Sequence, residues 1–345
     1  MKFARRLACL ALLCLAVAGG LLWREADIFL NTAPEPTGRE VYFDVLPGAR
    51  FAQISGQLAE RGLVTDAGKF RLLARWEKLD TRLQAGRFVL NTGWTPGKIL
   101  DELVNGRPML FRLTIPEGLT WRQTGELLAN AGFVVFEDFR LVTADPDFLR
   151  RYGIPFGTAE GFLMPDTYLL KKPDVPDEAQ ARAVAGRLVD NFWRKAADVW
   201  PNKTNPPLAE LKKIVILASV VEKETGRDEE RARVAGVYAN RLTRGMPLQA
   251  DPTVIYGLGE KFDGNLRRVH LEDAGNPYNT YQRPGLPPGP ICSFGLAALR
   301  AAVRPEAHDF LYFVASGDGG AHVFSTNLAD HNRAVRRYHQ QRRSK

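Results

Sequence analysis

The chain has 345 residues, of which 45% are hydrophobic and 25% charged, a composition typical of folded domains rather than of disorder. Its length allows two or more domains that each have a hydrophobic core. The formal net charge is +8. No basic stripe interleaved with aromatic residues is evident, so nucleic acid is not a predicted partner.

The N-terminus has the pattern of a membrane anchor. Lys2, Arg5 and Arg6 precede residues 7–23, a run without a charged residue. As a helix this run would extend for about 26 Å, at the short end of what crosses a bilayer. The positive flank predicts that this end stays in the cytoplasm and that the rest is exported. A cleaved signal peptide is the alternative, since residues 16–18 fit a small-residue cleavage site.

An internal repeat follows, formed by residues 43–73 and 113–141. Matching positions in the two copies are Pro47 and Pro116, Phe51 and Trp121, Leu58 and Leu128, Gly62 and Gly132, and Val64 and Val134. The alignment needs one residue of slippage after the prolines. Each copy predicts a short strand, a turn and an amphipathic helix that is closed by a glycine at the C′ position. We expect small α+β modules that either act as spacer and support or form a compact carbohydrate-binding module.

The rest of the chain predicts further helices and short strands, so the predicted fold class is α+β. The expected elements are a strand at 86–90, helices at 95–103, 178–199, 229–242 and 294–302, an extended Gly/Pro-rich region at 249–291, and a hairpin of 310–315 with 322–325.

A glutamate on an apolar helix face is the strongest candidate for catalysis. In the predicted helix at residues 208–226, Leu211 and Ala218 share a face with Glu222 at helical spacing. A carboxyl in apolar surroundings is desolvated, so it can stay protonated near neutral pH and act as a general acid. A structural ion pair is the alternative, because buried glutamates usually have an Arg or Lys partner. Glu224, at the edge of the face, is the weaker candidate.

Several common catalytic patterns are absent from the sequence. It has no HExxH, no GxSxG and no P-loop, and its five histidines lack metal-ligand spacing, so no metal or cofactor is predicted. Side chains suited to hydrogen bonding or stacking on sugar rings occur at Gln249, Asp251, Tyr256, Tyr278, Asn279, Tyr281 and Asn327. Each alone is an ordinary loop residue, but together with a desolvated glutamate they favour cleavage of a glycosidic bond.

A resemblance to a known family rests on short motifs in order along the chain. They are EGFLMPDTY at 160–168, ASVVEKE at 218–224, LQADPTVIYG at 248–257, YNTY at 278–281, GLPPGPI at 285–291, LYFVA at 311–315 and FSTNLADHN at 324–332. Together they closely resemble the endolytic murein transglycosylases of the YceG-like family. The resemblance implies that Glu222, the first glutamate of VEKE, is catalytic. Glu160 and the polar and aromatic loop residues named above would then bind substrate.

The resemblance also implies a single-pass protein of the inner membrane, with a LysM-like module ahead of a mixed α+β catalytic domain in the periplasm. The predicted organisation is a cytoplasmic tail at 1–6, a transmembrane anchor at 7–23, a linker at 24–40, a LysM-like repeat region at 41–150 and a catalytic domain at 151–345.

The implied reaction cleaves the MurNAc–GlcNAc bond of peptidoglycan within nascent glycan strands. Glu222 would protonate the glycosidic oxygen and then act as base on the C6 hydroxyl of MurNAc. This gives a 1,6-anhydro end without water and would terminate strand elongation. Asp251 or Asp166 could instead be a second carboxylate, which would favour hydrolysis. The remaining alternative is a non-enzymatic, membrane-anchored peptidoglycan-binding scaffold that recruits synthases, and synthases are expected partners of the enzyme as well.

Overall fold

The computed structural model describes residues 2–46, 48–173, 175–317 and 320–343, with side chains from residue 17 to residue 341 within those ranges. The chain divides into two compact units. The first comprises Met1–Phe111 and Leu169–Val175, and the second comprises Arg112–Tyr168 and Pro176–Lys345. Both contain helices and short strands, so the mixed α+β class is confirmed.

The first unit begins with a long helix. Its elements are α1 (Lys2–Asn31), β1 (Glu40–Val45), α2 (Phe51–Glu60), α3 (Ala67–Trp76), β2 (Gly86–Asn91) and α4 (Pro96–Asn105). In the described part of the chain, no helix is both long enough and apolar enough to cross a bilayer. The predicted anchor lies within α1, and the side chains of its residues 7–16 lie outside the described residues. Because α1 continues to Asn31, the predicted linker at 24–40 is helical in its first part.

The core of the first unit lies between a two-stranded sheet and three helices. β1 and β2 pair antiparallel, with Phe43 opposite Phe88. Residues directly opposite each other point to the same face of a sheet, and on this face both rings are buried. Leu58 of α2, Phe70 of α3 and Leu100 of α4 complete this cluster. The unit thus has a hydrophobic core of its own.

The second unit is mainly helical. Its elements in chain order are β3 (Phe111–Ile115), α5 (Trp121–Asn130), α6 (Phe136–Ala144), α7 (Pro146–Arg151), β4 (Asp166–Leu170), α8 (Glu178–Ala196), α9 (Leu208–Glu224), α10 (Asp228–Thr243), α11 (Asp251–Leu258), α12 (Arg268–Glu272), α13 (Leu296–Val303), β5 (Tyr312–Ala315), β6 (His322–Ser325) and α14 (Leu328–Arg343). β3 pairs with β4, and β5 pairs with β6. The division into compact units assigns the first residue of β3, Phe111, and the last two of β4, Leu169 and Leu170, to the first unit.

The second copy of the repeat forms β3, α5 and α6. Thr120 and Gln123 form a capping box at the start of α5, and Leu128 and Phe139 are fully buried. The compact units divide the chain after Phe111, so this second copy belongs to the second unit. The LysM-like character of residues 41–150 stays a prediction.

α9 is the helix around which the second unit packs. Every residue from 214 to 221 is buried, as expected of a helix that is apolar on all sides. α10 and α13 pack against it. The prediction of an extended region at 249–291 is wrong in part, because α11 and α12 lie within it. Pro252 occupies the first turn of α11, where a proline is compatible with a helix.

Candidate active site

Glu222 lies in the last turn of α9 and is almost completely buried. Its side chain is 6% exposed, and that of Arg231, from α10, is 7% exposed. Arg231 Nη2 donates to Glu222 Oε1 at 3.1 Å, and the main-chain N–H of Gly295 donates to Glu222 Oε2 at 3.0 Å. The carboxyl is therefore desolvated, as the sequence predicts, and it also has the arginine partner of the structural alternative.

The segment before α13 is held along α9 by hydrogen bonds. Ile291 N donates to Ser219 Oγ at 3.0 Å. About one turn further along α9, Glu222 accepts the hydrogen bond from Gly295 N. Residues three apart share a helix face, so a single face of α9 holds residues 291–295. The Cys292 thiol donates to Ser219 O at 3.3 Å, and burial raises its pKa well above the usual value. Cys292 is thus a structural residue of this segment.

A second carboxyl, Glu117, lies beside Glu222 and was not predicted from the sequence. It belongs to the turn between β3 and α5. Its Oε2 is 3.8 Å from Arg231 Nη2, the nitrogen that also binds Glu222. Its side chain is 48% exposed. Partial burial and the neighbouring Glu222 raise the pKa of Glu117, although Arg231 opposes this.

Main-chain hydrogen bonds fix the turn that carries Glu117. Gly118 N donates to Ser293 O at 2.8 Å, and Ser293 N donates to Leu119 O at 2.7 Å. Lys223, next to Glu222 on α9, donates to Gly118 O at 3.2 Å. The turn is therefore attached both to α9 and to the segment that precedes α13, which holds the two carboxyls at one arginine.

Gly295 makes the close approach of the two carboxyls possible. A Cβ atom at this position would lie 1.8 Å from Glu117 Oε1, well inside contact distance. The same residue donates its N–H to Glu222. A side chain at position 295 would therefore displace Glu117, whereas the main-chain contact to Glu222 does not depend on the side chain.

The carboxylates that the sequence suggested as partners of Glu222 have other partners. Asp166 accepts hydrogen bonds from Asn191 at 2.9 Å and from Lys195 at 2.9 Å. Asp251 accepts a hydrogen bond from the Tyr281 hydroxyl at 2.6 Å. The two positions are therefore used elsewhere in the unit. Glu117 is the carboxyl that shares Arg231 Nη2 with Glu222, whereas Asp228 binds the other terminal nitrogen, Nη1.

Three of the predicted substrate-binding residues, Glu160, Tyr256 and Tyr278, form a cluster, and Glu160 is its buried member. Glu160 is 1% exposed. Its oxygens accept the Trp121 N–H at 3.0 and 3.1 Å, and Tyr256 hydrogen-bonds to it. The rings of Tyr256 and Tyr278 are 4.8 Å apart. Burial raises the pKa of Glu160 to about 8 despite these hydrogen bonds. Glu160 therefore holds the start of α5, and only its tyrosine neighbours are partly exposed.

Gln249, Asp251 and Tyr281 are brought together near Glu224. Gln249 Oε1 accepts a hydrogen bond from Arg241 at 3.3 Å. The Tyr238 hydroxyl donates to Glu224 Oε1 at 2.7 Å, and burial raises the pKa of Glu224 to about 7. The remaining contact is the Tyr281–Asp251 hydrogen bond described above. Gln249 and Asp251 are exposed, so a ligand could contact this cluster from solvent.

Two predicted substrate-binding residues make hydrogen bonds that stabilise the local structure. Asn279 is completely buried, and its amide donates to the carbonyls of His270, Leu271 and Asp273. Asn327 accepts the Asp330 N–H at 2.9 Å at the start of α14, as a helix cap does. Asn279 thus stabilises a loop and Asn327 caps a helix, and substrate binding by these two residues stays a prediction.

A cavity of about 520 Å³ borders Asp228 and Arg231 at the start of α10. It is lined by Asp198, Val199, Asp228, Arg231, Ala232, Ala297, Arg300, Ala301, Val303 and Arg304. A larger cavity, of about 700 Å³, is lined by residues around Tyr152 and Trp193 and contains none of the site residues. Among the described side chains, no group of His, Cys, Asp and Glu residues is arranged to hold a metal ion.

Comparisons with known proteins agree on one family. The chain matches the YceG-like family over residues 43–337. A relative from Bacillus subtilis, named endolytic murein transglycosylase, is 27% identical over 339 residues, which is 94% of this chain and 91% of the relative. A Streptococcus pneumoniae relative of the same name is 29% identical and aligns with 84% of this chain, but the match spans only 56% of that protein's length.

A solved structure extends the comparison to the fold. The crystal structure of a YceG-like protein from Listeria monocytogenes is 29% identical in sequence and superposes with a TM-score of 0.55. The match covers 86% of this chain and 99% of that one. All of the site residues described above, from Glu117 to Asn327, lie within the range matched by the family. The chain therefore belongs to the YceG-like family.

Proposed function

We propose that the chain is a peptidoglycan lytic transglycosylase that cuts the MurNAc–GlcNAc bond within nascent glycan strands and leaves 1,6-anhydroMurNAc ends. The observation that carries this proposal is the buried Glu222 carboxyl beside Glu117 and Arg231, in a chain whose relatives are named endolytic murein transglycosylases. A reaction of this kind needs a proton to be given to the leaving oxygen and a proton to be taken from the C6 hydroxyl.

The proposed chemistry requires no water. Once the glycosidic oxygen is protonated, the C1–O bond breaks and the deprotonated C6 oxygen bonds to C1, so the atoms of substrate and products balance. The resemblance to the family implies that Glu222 performs both proton transfers. Glu117 adds a second ionisable group to the same site, and for that reason the two carboxyls need not take the same step.

The proposed location is the outer face of the inner membrane. Residues 7–23 would hold the catalytic unit beside newly made glycan, with the LysM-like region at 41–150 as a spacer or glycan-binding module and with peptidoglycan synthases as partners. Tethering raises the effective concentration of nascent strands, so strand termination is the proposed role. N-terminal sequencing of the protein recovered from cells tests this, and a mature chain that starts at Gly19 would contradict it.

The activity is tested by Glu222→Gln, which preserves the shape of the side chain but removes its ability to exchange a proton. We expect cleavage of purified glycan strands to fall by about 10²–10⁴-fold at temperatures at which the variant is still folded. Glu126→Gln, a substitution at an exposed position of α5, is the matched control and should leave cleavage unaltered.

Mass spectrometry of the products separates the possible reactions. Ends with the mass of 1,6-anhydroMurNAc support the proposal, whereas ends that have gained water indicate a hydrolase. If the wild-type chain binds glycan but releases no fragments, the non-enzymatic scaffold is the better description.

A further inference from the structure

Three carboxyls contact Arg231, and Asp228 binds its Nη1. The two on the Nη2 side, Glu222 and Glu117, differ in the hydrogen bonds that they receive. Glu222 accepts one from the guanidinium at 3.1 Å and one from Gly295 N at 3.0 Å. Both are contacts of the kind that stabilise a carboxylate. Glu117 is 3.8 Å from the same guanidinium nitrogen, too far for a hydrogen bond. Glu222 is thus equipped to carry a negative charge, and Glu117 is not.

The surroundings of Glu117 favour its protonated form. The charged groups that act on it are Glu222, Asp228, Arg231 and Lys195, and the pKa of Glu117 is raised by burial first and by Glu222 second. Glu117 is also the more exposed carboxyl, at 48% against 6% for Glu222. A proton held by Glu117 is therefore accessible to a substrate oxygen.

We propose that Glu117 is the catalytic acid of this site and that Glu222 is the base. Glu117 gives its proton to the glycosidic oxygen as the C1–O bond breaks, and Glu222 takes the proton of the C6 hydroxyl as its oxygen bonds to C1. The leaving sugar gains one proton and the anhydro product loses one, so charge and atoms balance. After each cycle Glu117 is ionised and Glu222 protonated, and exchange with solvent restores both.

This inference depends on the proposed function, and it is tested with a substrate that needs no acid. A dinitrophenyl glycoside of a MurNAc-containing disaccharide has a leaving group that departs without protonation, whereas glycan strands do not. The whole chain is assayed with both substrates. Glu117→Gln should lower the cleavage of glycan by about 10²–10⁴-fold and that of the dinitrophenyl glycoside by no more than about tenfold. Glu222→Gln should lower both to a similar extent, because the base is still needed.

Gly295→Ala provides a second variant, which keeps both glutamates in the sequence but displaces the side chain of Glu117. The backbone of Gly295, at φ −80° and ψ 172°, accepts an alanine, but the new Cβ would meet Glu117 at 1.8 Å. Glu117 is half exposed and can turn away, whereas Gly295 N still reaches Glu222. We expect the same selective loss on glycan as for Glu117→Gln, while Glu126→Gln leaves both rates unchanged.

The outcomes separate the inference from the function. If the wild-type chain cleaves neither substrate, the proposed function itself fails. If Glu117→Gln loses both substrates equally, or if the dinitrophenyl glycoside rescues Glu222→Gln instead, the chain remains a transglycosylase but the assignment of Glu117 as acid is wrong. Unfolding curves of each variant exclude loss of the fold as the cause.

Discussion

The two copies of the repeat have the same local structure and contribute differently to the site. In each copy a strand is followed by a pair of helices, and the matching leucines, Leu58 and Leu128, are fully buried. The matching glycines, Gly62 and Gly132, follow the first helix with φ of 69° and 76°. This left-handed backbone is strained for residues with a Cβ atom, which explains the glycine in both copies.

The copies differ by one residue in the turn between strand and helix. When Pro47 is aligned with Pro116 and Gly48 with Gly118, the residue without a counterpart is Glu117. The extra residue that causes the slippage in the alignment is therefore Glu117, the residue that contacts Arg231. The positions shared by the copies maintain the helix pair, whereas the inserted residue supplies a functional group.

Truncation of the matching leucines should have the largest effect on stability. We expect Leu58→Ala and Leu128→Ala each to lower the free energy of unfolding by about 2–5 kcal/mol, because each leaves a cavity in a core. Under conditions in which both variants are folded, only Leu128→Ala should slow glycan cleavage, since only its copy carries Glu117. Chemical denaturation measures the first effect. Leu72→Ala, at a position that is 65% exposed, is the control, and equal stability of all three variants would contradict the expectation.

The burial of Glu160 at the start of α5 should make stability depend on pH. In the first copy α2 has no side-chain cap, whereas Trp121 N in the second copy donates to Glu160, whose pKa is raised from 4.5 to about 8. Between these values the folded state keeps a proton that the unfolded state loses. The free energy of unfolding should therefore fall as pH rises from about 4.5 to 8, by at most about 1.4 kcal/mol per pH unit.

Glu160→Gln isolates this contribution. The amide oxygen still accepts the Trp121 N–H, but it has no proton to lose, so the stability of the variant should vary less with pH over the same range. Glu224, whose pKa is raised to about 7, leaves a smaller dependence of the same sign. Denaturation curves at a series of pH values provide the measurement. Parallel profiles for the two proteins would show that Glu160 is not the group responsible.

The smallest effect is expected at the helix caps. Thr120→Ala removes the side-chain acceptor of the capping box in the second copy and should cost about 1 kcal/mol. Arg50→Ala, at the corresponding position of the first copy, removes no cap and should change stability by less than about 0.5 kcal/mol. Thermal unfolding of the two variants tests the difference, which would be refuted by equal shifts in Tm.

The features that could be predicted from the sequence are those set by local pattern. Helical periodicity placed Glu222 on a buried face of α9, and alternating residues around a glycine turn predicted the pairing of β5 with β6. Asp318 and Gly319 of that turn lie outside the described residues. The paired strands and helices of the repeat also follow from short-range spacing.

The features that were missed depend on contacts between distant parts of the chain. Glu117 reaches Glu222 because Gly118 N donates to Ser293 O and Ser293 N donates to Leu119 O, and no side-chain pattern encodes such a pairing. The loop contacts of Asn279 were missed for a related reason. An asparagine that binds loop carbonyls is not distinguishable in sequence from one that faces a ligand, and its burial decides between the two.

The attachment of the site to α9 has a consequence for inactivation by heat. Ser219, Glu222 and Lys223 of this helix hold residues 291–295 and Gly118 by hydrogen bonds, and α9 is itself buried over most of its length. The catalytic loops therefore belong to the same cooperative unit as the core. Loss of enzymatic activity and loss of helical circular dichroism should follow a single curve on heating, with no folded but inactive population between them.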